Sequence, residues 1–204
     1  MDATLFPTKG NLMISKNRLA LSKQGYELMD KKRNILVREM MQLMDQARDL
    51  QVQIGNTFAD AYDALQNANI TLGINTVQQI AKAIELEDQV VIKVRSIMGV
   101  EIPIIGEINA DVTPQFGFAR TNISLDEAYA KFLKVKQLTL MLAEVENAIY
   151  RLAINVKRTQ KRANALQNIM IPRYEGLTKE ITNALEEKER EEFSRLKMIK
   201  NFKK

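Results

Sequence analysis

The chain contains no histidine and no cysteine. Without histidine there is no imidazole metal ligand, no Ser-His or Cys-His nucleophile pair, and no access to the commonest general base. Without cysteine a disulfide framework is excluded and a reducing compartment is permitted. Aromatic residues make up 6% of the 204 residues against 46% hydrophobic overall, so the core has to be built from Leu, Ile, Val, Met and Ala. A Gly-x-x-x-x-Gly-Lys-Ser/Thr phosphate loop is absent too. The opening Met1 to Pro7 lacks the basic flank and apolar run of a signal peptide. Leu138 to Val156, the best candidate for a membrane span, is interrupted by Glu144, Glu146 and Arg151. These gaps leave no catalytic, metal or cofactor constellation to propose.

What is present is a heptad pattern. Ala128, Val135, Leu142, Ile149, Val156, Ala163 and Met170 recur at seven, and Leu138, Val145, Leu152, Thr159 and Leu166 form a second ladder three residues behind. Together they make an a/d coiled-coil seam of about six repeats, which at ~1.5 Å per residue spans roughly 65 Å. The N-terminal third supplies a partner: Met40, Ala47, Ile54 and Ala61 repeat at seven, with Met29, Leu36, Leu43 and Leu50 on the same face. A weaker continuation runs back through Leu12, Leu19 and Tyr26. No proline interrupts Lys9 to Ala68, and Gly10, Gly25 and Gly55 each cost only ~1 kcal/mol in a helix interior. The simplest closure is intramolecular and antiparallel, since a parallel homodimer would leave two seams per chain to satisfy.

Between the helices the pattern changes. Asn75 to Asp88 suits a short helix, and two β-branched runs, Val90 to Ile97 and Val100 to Ile105, flank a Met98-Gly99 turn. Pro103 would remove a ladder donor, which marks the second strand as short or an edge. Ile108 to Thr121 reads as loop, and Ser124 with Glu127 gives a capping-box pattern at the start of the second helix. The expected fold is therefore mostly α: a long antiparallel two-helix coiled coil with a small middle insertion of a short helix and a β-hairpin. The expected division is an N-terminal tail (1–8), a first coiled-coil helix (9–70), the insertion (71–123) and a second helix (124–204) bending near Pro172. That proline removes a backbone donor inside the helix and clashes with the preceding turn, after which Leu177, Ile181 and Leu185 resume the periodicity.

The net charge of +5 is unevenly placed. Lys9 to Arg38 carries eight basic residues against Glu27 and Asp30, and Arg151 to Arg173 carries six basic residues and no acidic one. In an antiparallel hairpin Lys31, Lys32 and Arg33 fall opposite Lys161 and Arg162, with Arg158 one turn away, so the two stretches make one basic collar. Its functional reading is a grip on acidic surfaces, and its bland reading is a solvated helix face. Nucleic acid is disfavoured, because the stretch has few aromatics for stacking and no reader motif. Glu186, Glu187, Glu189, Glu191 and Glu192, interleaved with Lys188, Arg190 and Arg195, read as a salt-bridged exposed face and not as a metal cluster.

Several stretches taken together resemble a known family. Lys161-Arg162-Ala163-Asn164-Ala165-Leu166, Ile171-Pro172-Arg173, Glu189-Arg190-Glu191-Glu192-Phe193 and Arg195-Leu196-Lys197, with Pro7-Thr8-Lys9, Gly25, Leu28, Lys31-Lys32-Arg33 and Leu36-Val37 near the other end, resemble the D subunit of V-type and archaeal-type rotary ATPases. The resemblance covers both helices, about two thirds of the chain. It implies a non-catalytic central-stalk rotor that transmits torque between ATP hydrolysis or synthesis in a hexamer and proton or sodium transport through a membrane ring. It implies as partners the catalytic and non-catalytic subunits of that hexamer, a small companion rotor subunit and a funnel-like subunit on the ring. It also implies a cytoplasmic location, peripheral to the membrane through the complex and without membrane insertion. The competing expectation is a free-standing coiled-coil adaptor or scaffold.

Overall fold

The computed structural model describes residues 6–84, 90–106, 116–117 and 121–202. Its elements are α1 (Lys9–Leu72), α2 (Ile74–Ala81), β1 (Ile92–Ile97), β2 (Val100–Ile105), α3 (Ile123–Ala165), a five-residue π turn (Leu166–Met170) and α4 (Ile171–Phe202). They form two units, residues 36–155 and residues 1–35 with 156–204.

In the 36–155 unit, α1 and α3 run antiparallel. Tyr62 meets Phe132 edge to face at 5.7 Å between ring centroids, and Gln51 reaches Glu146 at 3.5 Å, so positions rise along one helix as they fall along the other. The heptad reading explains which side chains are covered. Leu36, Ala47 and Ala61 of α1 and Ala128, Val135 and Leu152 of α3 are buried, while Leu43, Leu50, Leu142 and Ile149 are half-buried. Alanine dominates the α1 side, with Ala64 and Ala68 also buried.

Gly73, at φ 83°, ends α1 in a conformation that L side chains rarely adopt, and its carbonyl accepts from Thr76 and Val77 to start α2. Val77 packs with Ala68 and Leu125 into a small core bordered by Leu65, Leu72, Ile80 and Phe116. The short helix is thus shorter than Asn75 to Asp88: it ends at Ala81, and residues 85–88 lie outside the described residues. Most of the loop expected from Ile108 to Thr121 lies outside them as well. Helix α3 starts at Ile123, with the Asn122 carbonyl accepting from Leu125 and Asp126. Ser124 therefore lies inside the first turn. Glu127 does not reach back to cap it and instead pairs with Lys131 at 2.8 Å.

The strands pair antiparallel with Ile97 opposite Val100 and Ile92 opposite Ile105. Met98 (φ 51°) and Gly99 (φ 75°) both take positive φ, the requirement of a two-residue type I′ turn, whose twist matches that of the strands. In such a hairpin the pair closing the turn is hydrogen-bonded and alternate pairs are not. Residues 92, 94 and 96 of β1 and 101, 103 and 105 of β2 therefore turn their backbone polar groups outward. Pro103 occupies one of these positions opposite Val94, where its missing N–H breaks no ladder bond. On the inner face Val100 and Ile102 are buried.

In the other unit α1 packs against the end of α3, the π turn and α4. Thr8 starts α1: its Oγ1 accepts from the Asn11 N–H at 3.2 Å and its carbonyl from Leu12 at 3.0 Å. Ion pairs Lys9–Glu189 (3.0 Å) and Lys23–Glu175 (2.7 Å) cross between the helices. Among the described residues the covered positions here are mostly small: Ser15, Ser22, Thr159, Ala163 and Ile181. The Leu12, Leu19 and Tyr26 ladder is only half-buried, and the buried α1 positions here are Ser15 and Ser22, seven residues apart.

Candidate partner-contact site

The six collar residues lie on facing stretches of α1 and α3 within one unit. Arg33 joins them: its Nη1 donates to Gln160 Oε1 at 2.8 Å, one residue before Lys161. Arg33 differs from its neighbours in being held inward, with Nη2 2.6 Å from Asp30 Oδ1 and both Nε and Nη2 donating to Asn34 Oδ1. Lys32 is half-buried, and Lys31, Arg158, Lys161 and Arg162 are exposed. The outward charge is thus carried by four exposed cations, with Lys32 partly covered and Arg33 fixing the height at which the two stretches meet. Gln160 in turn donates to Asn164 at 2.7 Å, which holds the acceptor for Arg33 in place.

Toward the C-terminal end of α4 the character changes. Glu187 meets Arg190 at 3.8 Å and Glu191 meets Arg195 at 3.9 Å, as i, i+3 and i, i+4 neighbours on an exposed face. Phe193, Leu196, Met198, Ile199 and Phe202 are all more than half exposed. Heptad counting missed this apolar surface, because it credits any three-to-four spacing of large residues to a seam.

In the 36–155 unit α3 holds the hairpin by its second strand. The Ile105 N–H donates to Glu144 Oε2 at 2.9 Å, and Arg151 Nη1 donates to the Glu101 carbonyl at 3.2 Å. Both strand groups are at outward-facing positions. Seven helix residues cover roughly 10.5 Å and four strand residues roughly 13 Å, so Glu144 and Arg151 on one face of α3 match Ile105 and Glu101 along the edge. Lys131 lies on the same helix. Its hydrogen bond to Glu127, aided by the charges of Glu127, Asp60 and Asp63, holds its pKa above the ordinary lysine value against a smaller desolvation.

Among the described residues no helix is long and apolar enough to cross a membrane. Residues 11–201 match the family model for the D subunit of ATP synthase. The chain belongs to the ATP synthase D subunit family. Among its relatives, the V-type ATP synthase D subunit of Thermotoga neapolitana is 42% identical over 194 residues, covering 95% of this chain and 96% of the relative. The A-type ATP synthase D subunit of Methanopyrus kandleri is 36% identical, covering 96% and 85%, and that of Pyrococcus horikoshii is 34% identical, covering 95% and 92%. The family match takes in both long helices and the hairpin between them, so this chain is a component of a multi-subunit rotary ATPase of the V/A type.

Proposed function

We propose that this chain is the central-stalk rotor of its complex and carries torque without performing chemistry itself. The observation that carries the reading is the family match across almost the whole length of an antiparallel helix pair. A seam of interlocked aliphatic side chains resists shear between two helices. A surface of fixed charge slides past a surrounding ring without opening that seam. On this reading ATP hydrolysis or synthesis takes place in the catalytic and non-catalytic subunits of a surrounding hexamer. A small companion rotor subunit and a funnel-like subunit link the stalk to a proton- or sodium-carrying ring in the membrane. Attachment to the membrane is then peripheral and runs through those partners.

The collar Lys31, Lys32, Arg33, Arg158, Lys161 and Arg162 is the contact that faces acidic loops of the hexamer, and Pro172 is the bend that sets the C-terminal helix off axis. Two experiments test the reading. Affinity purification of the tagged chain with mass spectrometry should recover the hexamer subunits and a small partner in one-to-one ratio with it; a lone homodimer would refute the rotor assignment. Reversing Lys31, Lys32, Arg158 and Arg162 to glutamate should weaken assembly or coupling, with a dependence on ionic strength. Unchanged assembly and turnover at all salt concentrations would remove the collar from the contact.

A further inference from the structure

The seam of the C-terminal helix carries one residue too many. Up to the π turn the covered positions step by seven: Leu152, Thr159, Leu166 on one ladder and Val156, Ala163, Met170 on the other. Continued at seven, the first ladder would reach Arg173 and Glu180, and both are exposed. On that ladder the covered side chains are instead Tyr174 and Ile181, each one position later, while on the other both Leu177 and Thr178, and both Ala184 and Leu185, are partly covered. One surplus residue in an α-helix turns everything beyond it by about 100°, which would swing Ile181 out of the seam. The π turn Leu166–Met170 absorbs it, with the Ile171 N–H bonding back five residues to the Leu166 carbonyl. Pro172 follows at once, where an α ladder would lack a donor.

The facing helix carries a glycine here. Gly25 of α1 lies against Leu166, with the Leu166 Cδ1 3.7 Å from where a glycine Cβ would stand. One turn earlier Ser22 donates to the Arg18 carbonyl at 2.8 Å, a local bond that bends helices. The covered residues on either side are small or hydroxylated: Ser22, Thr159 and Ala163. The π turn of one helix and the glycine of the other thus stand at the same height.

We propose that the π turn and Gly25 form a torsional joint, at which the C-terminal helix twists on α1. The π turn replaces the α ladder for five residues and Pro172 removes the next donor, so twist there strains fewer α-helical bonds than elsewhere in the helix. This rests on the rotor reading for the load it serves and on the seam count alone for its existence. Deleting Asn168 tests it. The deletion returns Tyr174 and Ile181 to seven-residue steps from Leu166 and puts Ile171, in place of Met170, seven residues after Ala163, so the coil becomes continuous.

In the full-length parent chain, amide exchange across 166–174 is expected at least tenfold faster than in the flanking turns, and in the deletion variant it falls to the flanking rate. The variant is expected to melt no lower than the parent and to assemble with its partners, while ATP turnover of the assembled complex drops several-fold. Gly25→Ala makes only an ordinary contact with Leu166, keeps chain length unchanged, and is expected to move exchange and turnover in the same direction to a smaller extent. Parent exchange no faster than the flanks, or full turnover in a variant whose exchange has slowed, overturns the joint. Failure of the parent itself to assemble would strike the rotor reading instead, leaving the exchange result to stand or fall alone.

Discussion

Replacing Glu144 by alanine isolates what holds the hairpin on α3. The carboxylate accepts the Ile105 N–H at 2.9 Å, and among the described residues no further strand lies beyond β2 to take that amide. A hydrogen bond to a charged group contributes about 1.5–3 kcal/mol, and Glu144 is half-exposed, which puts the expected loss at the low end of that range. Since ~1.4 kcal/mol is a factor of ten in an equilibrium, the opening that exposes Ile105 should become roughly tenfold more populated. Site-resolved amide exchange measures it directly. Ile105 should exchange about ten times faster in Glu144→Ala, while the amides near Leu152, in the helix seam, stay at the parent rate. Glu144→Gln keeps a carbonyl acceptor and loses only the charge, so its effect should be smaller. If Ile105 exchanges at the parent rate in Glu144→Ala, the bond contributes nothing, and the account of α3 as the clasp of the strand edge is wrong.

Leu152 is fully buried in the seam, so Leu152→Ala should cost about 2–5 kcal/mol and lower the melting temperature by at least about 4 °C; a shift within about 1 °C would contradict the packing. Met98 holds φ 51°, which disfavours a residue with a Cβ by about 1–2 kcal/mol, and Met98→Asn should relieve part of this and slow exchange of the hairpin amides. Lys131 titrates above its ordinary value of 10.5, so the stability it adds is present below that pH and is lost as pH rises through the raised value. The melting temperatures of the parent and Lys131→Met should therefore converge in strongly alkaline solution, and a gap that widens there would reverse the assigned sign.

Some of this architecture could be read from the residues alone, for physical reasons that differ by element. The seven-residue ladder from Ala128 to Met170 is legible because every step is a small or apolar side chain, and burial acts on that property. Met98-Gly99 is legible because the dipeptide separates two β-branched runs by the two residues that a type I′ turn needs. Ser15 and Ser22 escape notice because a hydroxyl counts as polar, although Ser22 satisfies its own donor within the helix and can be covered. The one-residue slip after Leu166 is hidden by the tolerance of a three-to-four spacing, and Pro172 marks its place without showing how the ladder adapts. Glu127 misleads because its spacing from Ser124 fits a cap, yet a lysine one turn ahead offers it a closer partner. Among the contact residues, the inward hold on Arg33 depends on Gln160, which lies 127 residues away in the chain and which no local pattern connects to it.

The alanines that line α1 in the 36–155 unit have a consequence for how this sequence can drift. Ala47, Ala61, Ala64 and Ala68 leave no room behind them, so a larger side chain there has to push the helices apart. Across the seam Leu125, Val135 and Leu152 fill space that nothing else would occupy, so a smaller side chain there leaves a hole. Random substitution should be tolerated in opposite senses at these positions, with the α1 alanines rejecting gains in volume and Leu125, Val135 and Leu152 of α3 rejecting losses. Exchanging residue sizes between paired positions should recover what either change alone destroys.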